Sequence, residues 1–397
     1  MSEKRRDNKN RILQTGESQR KDGRYAYKYV DALGKPKFVY SWKLVTTDKT
    51  PAGKRDDLSM REKEKELQKD LNEGINPIGK KITVCELYEK QIRNNGNVKT
   101  NTKRGRNHLL GILKQDKLGD CAIGNVKVSD AKEWILRMKE GGFAYRTIRN
   151  YKRSLRAAFY SAIRDDCIRK NPFDFDIRDV IQNDTVPKVP LSPEQQRSFL
   201  DFIQNDEVYR KYYDEIIILL GTGLRVSELC GLTDAQVDFE RKIIVVDHQL
   251  LTDGKIGYYI APPKSRRGKR EIPMNEKVYQ AFLRVVKNRK DTKHYEIDGY
   301  KNFLFFKQDG YPKTARNYDT MFRCLVKKYK LFCDVELPQI TTPHTMRHTF
   351  CTNMANAGMN PKALQYIMGH ASITMTLNYY AHATFASAQT EMNRVVS

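Results

Sequence analysis

The chain has 397 residues, of which 72 are Lys or Arg and 48 are Asp or Glu, so it carries a formal net charge of +24 at neutral pH. Hydrophobic residues form 39% of the sequence and aromatic residues 10%, which excludes a disordered chain, and the positive excess excludes an acidic binding scaffold. No apolar run approaches the roughly 20 residues of a membrane span and no signal peptide follows Met1, so we expect a cytoplasmic protein.

Positive charge exceeds negative charge along the whole chain: the excess is +7 in residues 1–80, +10 in 81–180 and +7 in 181–397. A polyanionic partner explains this distribution better than a single basic tail does, so nucleic acid is the expected partner. A merely basic surface is the alternative. The seven cysteines are scattered and never form a C-x-x-C pair, which indicates neither a disulfide framework nor a thiolate metal site.

The first 75 residues predict a small domain of strands and one helix. Apolar and polar residues alternate in Arg24–Val30 and Pro36–Val45 on either side of Leu33–Gly34, which is typical of a β-hairpin. The charged segment 56–72 predicts a helix packed on one sheet face, before a break at Asn76–Gly79. The aromatic residues of the strands face either a DNA groove or the core of this domain: Tyr25, Tyr27, Tyr29, Tyr40 and Trp42.

Residues 80–180 predict a helical domain, with helices over 84–92, 100–114, 130–139 and 145–168. In the last helix, apolar residues from Ile148 to Ala162 share one stripe. Five cations cluster on the adjacent flank: Arg146, Arg149, Lys152, Arg153 and Arg156. Because no carboxylate lies between residues 146 and 164, we interpret this flank as a ridge that contacts DNA phosphates rather than as an ordinary solvated face. Residues 183–190 have the composition of an interdomain linker.

The largest predicted domain covers 188–397 and combines helices with a small sheet. Ser192, Pro193 and Gln195 form a helix-start signature, and an apolar helix over 213–220 runs into a turn at 221–223. A strand over 242–247, together with 257–261 and 270–273 on either side of the loop 262–268, predicts a three-stranded sheet. The sequence beyond Tyr279 predicts helices and polar loops. The expected fold class is therefore multi-domain, mainly α with small β-sheets.

Chemically informative side chains occur in four separated segments of this domain. They are Thr222–Glu228, Lys264, Pro343–His348, and Gly369-His370 followed by Tyr379 and Tyr380. Each segment has an ordinary structural interpretation on its own, such as an ion pair within one helical turn. A zinc site formed by the three histidines is a further alternative, which the absence of a Glu between the first two histidines disfavours.

Together, the four segments resemble the tyrosine recombinase (phage integrase) family, and in particular the integrases of Gram-positive conjugative transposons. That family brings Arg, Lys, His-x-x-Arg, His and Tyr together in this order, and the matching residues here are Arg225, Lys264, His344, Arg347, His370 and Tyr379. The match spans roughly residues 180–390. The resemblance implies an arm-type DNA-binding domain in 1–75, a helical, SAM-like core-binding domain in 80–180, and a catalytic domain with a C-terminal tail in 188–397.

The resemblance also implies a function. A homotetramer would bind double-stranded DNA at crossover and arm sites and exchange strands through a 3′-phosphotyrosine intermediate and a Holliday junction. No metal, ATP or other cofactor is expected, and a small excision helper protein is a further candidate partner. The protein would act at the bacterial nucleoid and not at a membrane.

The resemblance assigns a role to each residue of the set. Tyr379 would be the nucleophile, and Arg225 and Arg347 would bind the phosphate, with a further hydrogen bond from His370. His344 would accept the nucleophile's proton, and Lys264 would be the acid that protonates the leaving 5′ oxygen. Planar guanidinium groups suit the paired non-bridging oxygens of a phosphate. Glu228 is expected to orient Arg225, and His348 is expected to be structural.

Two features leave alternatives open. The interval of nine residues after His370 favours Tyr379 as the nucleophile over the adjacent Tyr380, and a shift of one residue on a helix would rotate the hydroxyl by about 100°. The tail Ala381–Ser397 has apolar residues at helical spacing and docks either on a neighbouring protomer or on its own domain. The competing functions are a DNA-binding regulator and a type IB topoisomerase; the complete residue set disfavours the first, and the N-terminal unit and tail disfavour the second.

Overall fold

The computed structural model describes residues 4–30, 35–72, 79–96, 98, 100–289, 295–380 and 392. The chain divides into two compact units, Met1–Thr185 and Val186–Ser397. Within the described ranges, no helix is both long enough and apolar enough to cross a membrane. The predicted turn at Leu33–Gly34, the break at 76–78 and the C-terminal tail lie outside the described residues, apart from Met392.

The N-terminal part of the first unit is a small antiparallel sheet covered by a helix. The described strands β1 (Glu17–Gln19), β2 (Tyr25–Val30) and β3 (Pro36–Ser41) lie in the order β1-β2-β3, and α1 spans Met60–Asn72. The three tyrosines of β2 are buried with Leu44, Met60 and Leu67, whereas Phe38 and Tyr40 on β3 are exposed. The alternation therefore assigns the β2 tyrosines to the core. The helix begins four residues later than predicted, where Ser59 and Glu62 exchange hydrogen bonds.

A helical bundle forms the rest of the first unit. It contains α2 (Val84–Asn94), α3 (Thr100–Leu113), α4 (Val128–Glu140) and α5 (Tyr145–Arg164). Trp134 on α4 is fully buried and meets the ring of Phe173 edge-on, while the predicted apolar stripe of α5 supplies much of the remaining core. Helix α5 ends before the predicted 168, since Asp166 has a φ of +52° that a right-handed helix cannot continue.

The second unit is mixed α/β. Its helices, in chain order, are α6 (Pro193–Asn205), α7 (Tyr213–Thr222), α8 (Val226–Gly231), α9 (Glu276–Lys287), α10 (Ala315–Phe332), α11 (Pro343–Asn356), α12 (Pro361–Met368) and α13 (Thr374–Leu377). Ser192 caps α6 by accepting a hydrogen bond from the backbone of Gln195, as its sequence predicted. The fold class expected from the sequence, mainly α with small sheets, is confirmed.

The sheets of the second unit differ from the prediction. Strands β4 (Val237–Asp238), β5 (Ile243–Val246) and β8 (Arg270–Pro273) form one sheet, and β6 (Gln249–Asp253) pairs with β7 (Gly257–Ala261) in a separate hairpin. The prediction that 257–261 joins 270–273 in one sheet was wrong. The missed strand β6 lies only three residues before β7, and a short antiparallel hairpin forms more readily than a longer-range pairing.

Candidate active site

A buried carboxylate, that of Glu228 on α8, lies at the centre of the site. It accepts hydrogen bonds from Arg225 Nη1 at 2.6 Å and from Arg270 Nη2 at 2.9 Å. Oε2 of Glu228 also accepts a hydrogen bond from the backbone N–H of Arg225 and so caps the N-terminus of α8. Burial alone would raise the pKa of Glu228, but Arg270, Arg225 and Arg347 lower it to about 2. The carboxylate is therefore ionised at physiological pH.

The two arginines that were predicted to bind phosphate donate hydrogen bonds to backbone carbonyls at the C-terminal ends of helices. Arg347 on α11 is buried, donates Nη1 to the carbonyl of Gly223 at 2.5 Å, and donates Nη2 to the carbonyl of Met368. Arg225 is partly exposed and donates Nη2 to the carbonyl of Gly369 at 3.1 Å. Burial and the neighbouring Arg225 lower the pKa of Arg347 to about 9. This is the behaviour of a buried cation that lacks a carboxylate of its own.

Arg270 on β8 is a member of the site that the sequence reasoning missed. Its guanidinium is fully enclosed, bonds both oxygens of Glu228, and donates Nε to the carbonyl of Ile367 at 2.5 Å. The alternation of residues along the strand could have predicted that Arg270 is buried, since it shares the buried face of β8 with Ile272. An arginine at a buried strand position requires an acidic partner, and Glu228 is that partner.

His370 follows α12 and is oriented by the next short helix. It is buried, and its Nδ1 lies 2.9 Å from Thr376 Oγ1 on α13. Burial, followed by the cations Arg347 and Arg225, lowers the pKa of His370 to about 4, so the ring is neutral at pH 7. In the tautomer in which Nδ1 accepts a hydrogen bond from the Thr376 hydroxyl, Nε2 carries the ring proton and can donate it.

The adjacent tyrosines have different environments. Tyr379 is half-buried, its ring stacks on His370 with 6.4 Å between centroids, and burial raises the pKa of its hydroxyl to about 12. Tyr380 instead donates its hydroxyl to the carbonyl of Met359 at 2.5 Å. The hydroxyl of Tyr379 thus points into the histidine cluster, and that of Tyr380 is engaged by the backbone.

His348 and His344 lie one helical turn apart on α11, with His348 nearer to the tyrosine. His348 Nδ1 is 2.5 Å from Tyr379 Oη, so this histidine, expected to be structural, contacts the candidate nucleophile. His344 meets His348 edge to face at 4.6 Å and is exposed. Although His344 is open to solvent on one side, the protein atoms around its ring, together with His348 and Lys188, lower its pKa to about 3.

Lys264 lies on the exposed loop between β7 and β8. The same loop is fastened next to the site by Arg267, which donates Nη1 to the carbonyl of Ala371 at 3.1 Å, one residue beyond His370. Arg267 therefore holds this loop against the segment that follows His370. Lys264 is the member of the predicted set that is held on a loop rather than on a helix or a helix end.

The assembled charges suit a phosphodiester. Three guanidinium groups and one carboxylate leave an excess of two positive charges, next to neutral histidines and a protonated tyrosine. Among the described residues, no group of three or more His, Cys, Asp or Glu side chains is arranged to hold a metal ion. Arginine side chains can form bidentate hydrogen bonds to phosphate oxygens, and the hydroxyl of Tyr379, a residue type that can act as a nucleophile, lies in the same cluster.

The predicted cationic ridge on α5 is smaller than its sequence indicated. Lys152 is buried and donates its ammonium to the carbonyl of Phe175, so it does not belong to the exposed flank. Arg156 forms an exposed ion pair with Asp174 at 2.6 Å. Helical periodicity could not reveal these partners, because both come from the segment after α5. Three exposed arginines remain, and they line a cavity of about 880 Å³: Arg146, Arg149 and Arg153.

Comparison with known proteins gives two family matches. Residues 1–71 match the DNA binding domain of Tn916 integrase, and residues 190–387 match the phage integrase family. The transposase from transposon Tn1545 of Streptococcus agalactiae is 61% identical over 395 residues, which covers 100% of this chain and 97% of that protein. The transposase from transposon Tn916 of Enterococcus faecalis has the same identity and coverage.

Solved structures of the Tn1549 transposon integrase are also similar. A fragment of residues 82–397 of that protein with the substitution R225K, in complex with a circular intermediate DNA, is 66% identical with a TM-score of 0.76, and the match covers 79% of this chain and 99% of that one. The same fragment with Y379F, in complex with transposon right end DNA, gives a TM-score of 0.75 at 66% identity, over 80% of this chain and 100% of that one.

Removing Arg270, which the sequence reasoning missed, should strongly destabilise the elements around Glu228. Arg270→Ala leaves a buried carboxylate with one arginine fewer, and breaking such a pair costs about 3–5 kcal/mol. We expect backbone amides of α8 and β8 to exchange with deuterium at least about 100-fold faster, as measured by mass spectrometry. Arg241→Ala is the matched control, because its ion pair with Glu271 at 3.5 Å is exposed. Equal exchange in the two variants would contradict a structural role for the Arg270–Glu228 pair.

Proposed function

The chain belongs to the phage integrase family of tyrosine recombinases, and we propose that the side chains gathered around Glu228 cut and rejoin DNA at specific sites through a covalent 3′-phosphotyrosine. The observation that carries this proposal is the placement of the Tyr379 hydroxyl beside neutral histidines and an excess of buried guanidinium charge. A covalent intermediate keeps the energy of the broken phosphodiester, so that rejoining needs no ATP.

The arginines and His370 are proposed to bind the scissile phosphate. Arg225 and Arg347 would each turn N–H groups towards the non-bridging oxygens, and the Nε2 proton of His370 would supply a further hydrogen bond. Charge grows on these oxygens as the phosphorane forms, and donors that are already fixed stabilise it without reorganisation. Glu228 and Arg270 are positioning residues in this scheme, because they bond Arg225 directly or through the shared carboxylate.

Lys264 is proposed as the acid that protonates the leaving 5′ oxygen. It lies on an exposed loop, which suits a group that must meet DNA from outside the folded core. His344, the remaining residue of the family set, lies at the edge of the site and contacts the ring of His348. Because arginines neutralise the phosphate and a lysine protonates the leaving group, the scheme contains no step that requires a metal ion.

The three predicted domains are proposed to divide the recognition of DNA. Residues 1–75 would bind arm sites, while 80–180 and 188–397 would hold the crossover site, and four protomers would carry out both strand exchanges at the nucleoid, with a small helper protein for excision. Two findings support the division: the match of residues 1–71 to a DNA binding domain, and the binding of circular intermediate DNA by the Tn1549 integrase fragment, which begins at residue 82.

The nucleophile is tested by a pair of conservative changes. Tyr379→Phe should bind crossover DNA with normal affinity but form no covalent adduct on a nicked suicide substrate, because only the attacking oxygen is lost. Tyr380→Phe should keep adduct formation, since its hydroxyl bonds the carbonyl of Met359. Gel electrophoresis of the protein–DNA adduct gives the answer. An adduct that persists in the first variant and disappears in the second would move the nucleophile to Tyr380.

The exposed arginines of α5 are tested by a salt titration. Neutralising Arg146, Arg149 and Arg153 together should weaken binding about equally on all sequences and flatten the plot of log affinity against log salt by roughly two to three units, near one per lost phosphate contact. A control of equal charge change neutralises three lysines of the same unit that already face carboxylates: Lys114, Lys117 and Lys139. A wild-type slope in the arginine variant would exclude this face from DNA contact.

The division between domains is tested by truncation. Removing residues 1–80 should abolish preferential binding to arm-site DNA, while binding and cleavage of the crossover site survive, because every member of the catalytic set lies beyond residue 220. Filter binding on the two DNAs and adduct formation on the second measure the outcome. A truncated protein that keeps its circular dichroism spectrum but fails on crossover DNA would show that the division is misplaced.

A further inference from the structure

The contact between His348 and Tyr379 assigns a role that the family set leaves to another residue. The two atoms Nδ1 and Oη are 2.5 Å apart, which places the hydroxyl and the ring nitrogen in direct hydrogen-bond contact. We propose that His348 Nδ1 takes the proton of the Tyr379 hydroxyl when DNA is cut and returns it when DNA is rejoined. This inference rests on the proposed function and names a further catalytic residue within it.

The protonation states around the contact suit this role. Burial, then Lys188 and Arg347, lower the pKa of His348, so the ring is neutral at pH 7 and one nitrogen is free to accept a proton. Burial raises the pKa of Tyr379 to about 12, so its hydroxyl keeps its proton until an acceptor removes it. Three further titratable neighbours are neutral as well: His344 on the same helix, His370 behind the tyrosine ring, and the Cys351 thiol, whose pKa burial raises to about 12. The tyrosine therefore donates, and the histidine accepts.

The step balances in atoms and charge. As the Tyr379 oxygen forms its bond to phosphorus, the hydroxyl proton moves to His348 Nδ1, which makes that ring an imidazolium because Nε2 already carries a proton. The bond between phosphorus and the 5′ oxygen breaks, and the departing oxygen takes a proton from the Lys264 ammonium. In rejoining, the 5′ hydroxyl returns its proton to Lys264 and the imidazolium reprotonates the tyrosine. Nothing is consumed, and no co-reactant is required.

His344 is less well placed for this transfer. Its ring meets His348 edge to face, and within the described residues the hydroxyl of Tyr379 bonds His348 and does not bond His344. One helical turn separates the two histidines, so both lie on the same side of α11, and His348 occupies the position nearer the tyrosine. The geometry leaves His344 as a neighbour that packs against the acceptor.

The test measures the rate of adduct formation by the full chain on a suicide substrate. His348→Ala should lower this rate by about 10²–10⁴-fold, the range typical of losing a positioned general base, while binding to crossover DNA is unchanged. Added imidazole should restore part of the rate by filling the space that the ring vacated. His344→Ala tests the competing acceptor and should lose less of the rate than His348→Ala, with no response to imidazole.

A second variant separates chemistry from positioning. In His348→Asn, the amide oxygen takes the place of Nδ1 and accepts the Tyr379 hydrogen bond, but it cannot hold the proton. The proposal requires this variant to be as slow as His348→Ala and its rate to rise with pH, about tenfold per unit below the pKa of the tyrosine. Wild type should instead be independent of pH near neutrality and slow down only under acidic conditions, where His348 itself becomes protonated.

The possible outcomes differ clearly. Recovery of the wild-type rate in His348→Asn would reduce His348 to a positioning residue, and a rate within a few-fold of wild type in both variants would overturn the proposal. A larger loss in His344→Ala, rescued by imidazole, would return the role to His344. A substrate whose leaving oxygen is replaced by sulfur should rescue Lys264→Ala but not His348→Ala, since sulfur needs no acid. If wild type itself forms no adduct, the proposed function fails, not only this inference.

Discussion

The proposed catalytic site depends on one charge imbalance: the buried carboxylate of Glu228 bonds two arginines, while no described carboxylate forms an ion pair with a third guanidinium, that of Arg347. Burying uncompensated cations is costly, and Arg347 responds with a pKa lowered to about 9. In the proposed function, a bound phosphodiester would supply the missing negative charge. The folded chain would then attract the scissile phosphate because it already holds a cation without a counter-ion.

Backbone geometry makes that arrangement possible. Gly223 and Gly369 end α7 and α12 in the left-handed conformation, with φ of +65° and +59°, and their carbonyls accept hydrogen bonds from Arg347 and Arg225 respectively. A side chain at Gly223 would come within 2.5 Å of the Phe350 ring. Each arginine is thus fixed by the end of a helix other than its own, so the helices and the proposed phosphate-binding groups are positioned together. Donors fixed in this way need no reorganisation when charge develops.

The sequence predicted those parts of the protein that follow from local rules. The helices, the Ser192 cap and the apolar stripe of α5 depend on neighbours within a few residues, and the ordered set of polar residues depends on a family pattern. The missed strand β6 belongs to a local hairpin with β7, but the wrong or missing predictions about charged side chains and histidines depend on partners distant in sequence. Lys152 is buried against a carbonyl 23 residues away, Arg270 meets a carboxylate 42 residues before it, and His348 meets a tyrosine 31 residues after it. Periodicity carries no information about such partners.

The two sets of cations in this chain perform different physical tasks. Exposed arginines such as Arg149 and Arg153 are proposed to replace condensed counter-ions at DNA phosphates, so their contribution should be independent of sequence and weakened by salt. Buried Arg347 and Arg270 are screened much less, and their desolvation was completed during folding. Salt should therefore act mainly on how tightly the protein holds DNA and only weakly on the rate of the chemical step once DNA is bound. Because the exposed and buried arginines are separate, a recombinase could release DNA while the buried arginines keep their positions.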